Sequence, residues 1–248
     1  MASTSETGHA KNVSNFDELT SYALGYGVTY NPSKASIKLT ALQALGISAK
    51  SAIGAVNSAL PAYSNAVSAR EVAFEPLSKL ATRILNALKA TDTTTQVDES
   101  ATTLVRKIQG KRATPKKTEA EKQALATEGT VVKEASTSQM SYDSRLDSLD
   151  KLIKLLTSIV LYAPNEADLK VTALTTLYTD LKTKNTAVLT ATTPLSNARI
   201  SRNDILYKTN TGLVDIAFDV KVYIKSLYGA SSPQYKQVSK LQFKAVKI

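Results

Sequence analysis

Residues 30–70 and 162–202 carry the same segment twice. At an offset of 132, 16 of 41 ungapped positions are identical. They include Tyr30/Tyr162, Pro32/Pro164, Ala35/Ala167, Lys38/Lys170, Leu42/Leu174, Lys50/Lys182, Val56/Val188, Asn65/Asn197 and Arg70/Arg202. Ordinary residue usage gives roughly 6–8 % identity by chance. An internal repeat constrains the fold more than any composition does, because the chain must build one supersecondary unit twice and pack the copies.

The repeat is helical in pattern. In the first copy, apolar or small residues recur at Leu42, Leu45, Ala49, Ile53, Val56, Leu60, Tyr63, Val67, Phe74, Leu77, Ala81, Ile84 and Leu88. The steps are mostly three and four, as one buried helix stripe demands. A shorter amphipathic helix precedes each long one, Asn15 to about Gly25 and Tyr142 to about Leu161. Phe16-Asp17-Glu18-Leu19 matches Leu149-Asp150-Lys151-Leu152 after a one-residue gap. Each Tyr-x-Pro turn then leads to an expected N-cap at Ser33 or Asn165. Pro61, Pro76 and Pro194 predict kinks or one-turn breaks. Gly110 to Pro115 resembles Gly229 to Pro233, and the unequal spacing reads as an inserted loop over 91–103.

The predicted fold is therefore all-α: an elongated antiparallel helical bundle with long, proline-kinked, coiled-coil-like helices, built from two duplicated three-helix units. Its parts are a polar tail (1–13), a first repeat (14–130), a linker (131–141) and a second repeat (142–248). Both repeats pack as one bundle.

Chemistry-bearing residues are sparse. The chain has no cysteine, which excludes thiolate metal sites and thiol nucleophiles, and its single histidine, His9, lies in the polar tail and reads as solvated. One histidine supports neither a multi-histidine metal site nor, from a tail, a catalytic triad. Asp143, Asp147 and Asp150 share a face near a helix start, where carboxylates complement the macrodipole. No catalytic residue, cofactor or metal is expected.

The net charge of +10 favours an anionic partner or simple solubility. The candidate anion-binding residues are Arg106, Lys107, Lys111, Arg112, Lys116 and Lys117, a cluster without an acid but also without interleaved aromatics. Arg70 and Arg202, at equivalent places on the seam, either cover it with their stems while the guanidinium reaches water or a nearby acid such as Glu71, Glu75 or Asp204, or meet acids across the bundle and set its register. The second seam is wetter: Asn185, Thr192, Arg199 and Thr209 stand against Ile53, Leu60, Val67 and Leu77, which points to a face meeting solvent or a partner. Met1 to Gly8 lacks the apolar core of a secretory signal, and no run reaches the length of a membrane span.

The segments GHAKNVSNFDEL, GYGVTYNPS and GLVDIAFDVKVYIKSLYGASSPQYKQVSKLQFK resemble stretches shared by an uncharacterised family of Bacteroidota proteins. The resemblance implies a bacterial, cytoplasmic setting and carries no activity. The expected function is a non-enzymatic structural or scaffold protein that self-assembles or packs on a protein partner. A polyanion-binding protein is the alternative. A membrane-acting, pore-forming helical protein comes third, resting on the apolar run Leu152 to Tyr162.

Overall fold

The computed structural model describes residues 6–111, 118, 123 and 141–244. The protein is all-α, with no strand among the described residues. In chain order the helices are α1 (Glu6–Gly25), α2 (Leu39–Phe74), α3 (Leu77–Lys89), α4 (Thr95–Ile108), α5 (Tyr142–Thr157), α6 (Val171–Tyr207), α7 (Leu213–Tyr228) and α8 (Pro233–Ser239).

The turns that open the two long helices are built alike. The Tyr30 hydroxyl donates to the Ile37 carbonyl at 2.7 Å, and 132 residues on, the Tyr162 hydroxyl donates to Leu169 at 2.9 Å. A 3₁₀ turn fills each loop, Ala35–Ile37 and Ala167–Leu169, and an extended lysine follows, Lys38 or Lys170. The lysine carbonyl accepts the first helical bond, from Leu42 and Leu174, each at 3.0 Å. Ser33 and Asn165 are thus not the caps, because the buried tyrosine first pulls the chain through an extra turn.

Burial pushes the Tyr162 hydroxyl up to about 12, with Glu166 and Asp168 adding to the effect, and Tyr30 is raised by the same cause. A folded-state value above the unfolded one, about 10, means stability that is complete below pH 10 and lost as pH rises toward 12. Over that window Tyr162 alone accounts for roughly 2–3 kcal/mol. Tyr162→Phe costs about 1 kcal/mol near neutrality, through the lost hydrogen bond. In urea melts at pH 8, 10 and 11.5 its deficit relative to the native chain shrinks and then reverses. A deficit that stays constant with pH refutes this.

The prolines act differently from one another. Pro61 lies inside α2 and Pro194 inside α6, and both helices continue through them. Both rings are exposed. Pro76 ends α2, leaving Glu75 and Pro76 between α2 and α3. The expected loop over 91–103 is mostly wrong: α4 begins at Thr95, and only a short turn precedes it. Its residues Ala101, Val105 and Ile108 are buried at helical spacing, which the Thr-rich composition conceals.

The chain divides into two compact units that cut across the repeats: Met1–Tyr63 with Ala191–Ile248, and Ser64–Thr190. In the first unit, Val13, Phe16, Leu19 and Ala23 of α1 and Leu42 and Ala49 of α2 share a core with Leu206 of α6 and with Leu213, Ile216, Ala217, Val220 and Ile224 of α7. In the second, Leu146, Leu149, Leu152 and Leu156 of α5 and Leu174 and Leu181 of α6 share a core with Phe74 of α2 and Leu77, Ala81, Ile84 and Leu88 of α3. Each unit therefore takes its front from one repeat and its back from the other.

The core positions pair at offsets of 133 for α1 with α5, 132 for the turns and long helices, and 136 for α3 with α7. The change to 136 comes from one more residue in α6 and three more in the α6–α7 connection, where Asn210 adopts φ 65°. Gly212 lies in the same connection, where a Cβ would fall 2.6 Å from the Lys208 nitrogen. Leu213, not Thr209, takes the core place of Leu77.

Candidate functional site

The first unit buries a polar cluster on α1. His9, Asn12, Asn15 and, from α6, Arg202 are all at most 4 % exposed. His9 is thus a core residue, not a solvated tail, because α1 starts at Glu6 rather than near Asn15. Its Nδ1 shares a 2.5 Å hydrogen bond with the Tyr207 hydroxyl, to which Asn12 Nδ2 also donates at 3.3 Å.

Asn12 also pairs with the backbone of Lys244 in both directions, donating to its carbonyl at 2.8 Å and accepting from its N–H at 3.1 Å. Asn15 donates to the Gln242 carbonyl at 2.7 Å. These amides hold the backbone of Gln242 and Lys244 as a strand partner would, with Leu241 and Phe243 buried beside them. The cluster fastens residues 242–244 to α1.

In the second unit the residues at an offset of 133 from His9 and Asn12 are Tyr142 and Arg145. Arg145 donates from Nε to the Ile108 carbonyl at 3.0 Å and from a terminal nitrogen to the Phe74 carbonyl at 3.3 Å. Its guanidinium lies 5.3 Å from the Phe74 ring, which meets Tyr142 edge-on at 4.8 Å. Burial lowers its pKa from the ordinary arginine value.

Arg70 stacks on the Tyr142 ring at 3.9 Å and donates to Asn185 Oδ1 at 3.2 Å, while Asn185 donates to Asp143 at 2.7 Å. Arg70 reaches an acid only through that amide, and its buried Nε has no partner among the described residues. Arg202 bonds the Asn203 side chain at 3.1 and 2.8 Å. Asn185, expected on a wet face, is buried, whereas Ile53 is half-buried.

Of the basic segment, Arg106 and Lys107 occupy the last turn of α4, half-buried, where cations complement the helix dipole. Lys111 is exposed after Gly110, whose φ is 69°. Arg112, Lys116 and Lys117 lie outside the described residues.

Two ion pairs fix the turns before the long helices. Lys34 meets Asp219 of α7 at 2.5 Å. Arg83 of α3 grips both carboxylate oxygens of Asp168, the longer contact being 3.1 Å. That pairing raises the Arg83 pKa and lowers that of Asp168. Two open cavities of about 450 and 510 Å³ flank Arg83 in the second unit.

Among the described residues no group of His, Asp or Glu is arranged to hold a metal ion. Within the run Leu152 to Tyr162, Leu152, Ile153, Leu156 and Tyr162 are buried in the second core, whereas Val160 and Leu161 are exposed. Among the described residues one window is long and apolar enough to cross a membrane, contrary to the expectation that no run reaches that length; it lies in Leu39–Lys89 and is 28 % buried.

The sequence reading missed His9, Arg145 and the two ion pairs. The offset of 136 aligns α3 with α7 and sets Arg83 opposite Asp219, but no offset shows that His9 or Arg145 is buried. No family model, curated protein or solved structure matches this chain.

Proposed function

We propose that this chain is a non-enzymatic structural or scaffold protein that self-assembles through apolar contacts, its body a helical bundle made by duplication of one unit. The carrying observation is a pair of valines. Val28 is 99 % exposed and Val160, 132 residues on, is 94 % exposed, each at the tip before a Tyr-x-Pro turn. Solitary exposed aliphatics are common, but the same one left uncovered in both copies, beside Leu24 in one and Leu161 in the other, is suited to contact with another molecule. The matched cores and tyrosine turns support the duplication. A bacterial, cytoplasmic setting belongs to the same proposal.

Salt separates this reading from its alternative. A charge of +10 opposes self-association, so screening it strengthens apolar assembly. Polyanion binding by the segment from Arg106 to Lys117 weakens steeply as salt rises. Light scattering and electron microscopy of the intact chain should show particles heavier than 26.6 kDa, growing with salt. Val28→Asp with Val160→Asp should return them to monomers. A native chain monomeric at every salt and concentration overturns self-assembly. Salt-sensitive retention on heparin that vanishes when the six basic residues become alanine selects the alternative.

A further inference from the structure

The two ion pairs join the same turn to the same back-helix position, from turn residues two places apart, and their charges are reversed. Aligned at 136, Arg83 of α3 corresponds to Asp219 of α7, and Lys79 to Asp215. Aligned at 132, the turn residues Lys34 and Ser36 correspond to Glu166 and Asp168. At these positions the first repeat is therefore basic on its turn and back helix, and the second is acidic on both, although α7 also carries Lys221 and Lys225 further along. Each turn is bonded to the back helix of the other repeat, Lys34 to Asp219 and Asp168 to Arg83.

We infer that these charges select which halves pair, holding each turn against the other repeat's helix and rejecting its own. The inference rests on the two-copy reading above. Because α3 and α7 bury apolar residues at the same four positions, Leu77/Leu213, Ala81/Ala217, Ile84/Val220 and Leu88/Ile224, the stripes they offer discriminate poorly between a repeat's own back helix and its twin's. If like repeats paired, whether by α2 folding back at Pro61 or between two chains, Lys34 would face Arg83 and Lys79. Glu166 and Asp168 would face Asp219 and Asp215. Both attractions would become repulsions.

Exposed ion pairs are individually weak, and these side chains are 38–55 % exposed. Two attractions lost and two repulsions gained still bias the pairing about tenfold.

The test uses the full chain refolded from urea. Lys34→Glu places an acid against Asp219 and should lower the folding equilibrium constant about two- to fivefold. Lys34→Glu with Asp219→Arg restores attraction in the native pairing, so its stability returns. It also gives both repeats acidic turns and basic helices, so no pairing is penalised. Donor- and acceptor-labelled chains of the double variant, refolded together at micromolar concentration, should form intermolecular species about tenfold more abundant than the native chain gives.

Those species should persist on dilution, since separating them requires unfolding a unit, whereas association through surface valines reverses. Two results overturn the inference: a Lys34→Glu chain as stable as the native one, or a double variant that refolds with no more dilution-resistant species than the native chain. The self-assembly reading depends on the mass of the native chain, which does not enter this comparison.

Discussion

Residues 1–140 and 141–248, expressed as separate fragments, should each lack a cooperative melting transition, and mixing them at equal concentration should restore one. Each compact unit is completed by the other repeat. Val13, Phe16, Leu19 and Leu42 bury themselves against Leu213, Ile216, Val220 and Ile224, while Leu146, Leu149, Leu152 and Leu174 do so against Leu77, Ala81, Ile84 and Leu88. Burying one such large side chain contributes about 1.5–3 kcal/mol. A lone repeat leaves two half-cores facing water, a loss that exceeds the ~5–15 kcal/mol by which a folded domain of this kind is stable. Circular dichroism melts of each fragment and of the mixture decide the matter. A 1–140 fragment that is monomeric and melts cooperatively would falsify the exchange.

The part of this architecture legible in the sequence is the part where the two repeats keep one register. From Tyr30 to Arg70 the offset stays at 132, and there the tyrosine turn, the long helix and the helix class all read directly. Beyond Arg70 the second copy gains four residues, one at the end of α6 and three in the connection that holds Asn210 and Gly212. An alignment held at 132 then sets Thr209 against Leu77 and turns a buried position into a polar one. A separate mismatch makes α4 look like an inserted loop: Gly229 resembles Gly110 locally, but at the offset of 136 it falls in the turn at Ala90–Thr94.

His9 was hidden for a different reason. Gly8, His9, Ala10 and Lys11 carry no helical stripe of their own. His9 is buried through Tyr207, a partner 198 residues away, so only tertiary packing reveals it. Arg145 was equally silent, since an arginine on a short amphipathic helix ordinarily faces water.

Arg145→Met should destabilise the chain by about 3 kcal/mol in urea, more than removal of any exposed ion pair. Two helices end beside this side chain, and its fork reaches one terminal carbonyl from each, Phe74 of α2 and Ile108 of α4. Hydrogen bonds from a cation contribute roughly 1.5–3 kcal/mol, and a carbonyl left unpaired in a half-buried site costs about 1–3 kcal/mol. Methionine keeps the stem that covers Phe74 but satisfies neither oxygen. Lysine has a single ammonium with no planar fork, so Arg145→Lys should hold one carbonyl and recover about half of the loss.

Asn12, the residue at the same place in the first unit, ties down Lys244 by a neutral amide pair. Asn12→Ala should therefore cost less, about 1–2 kcal/mol, and should raise amide exchange at Lys244 in particular. If Arg145→Met proves no worse than Asn12→Ala, the cation is not what joins the ends of α2 and α4. The stacking of Arg145 on Phe74 would then be the dominant contact.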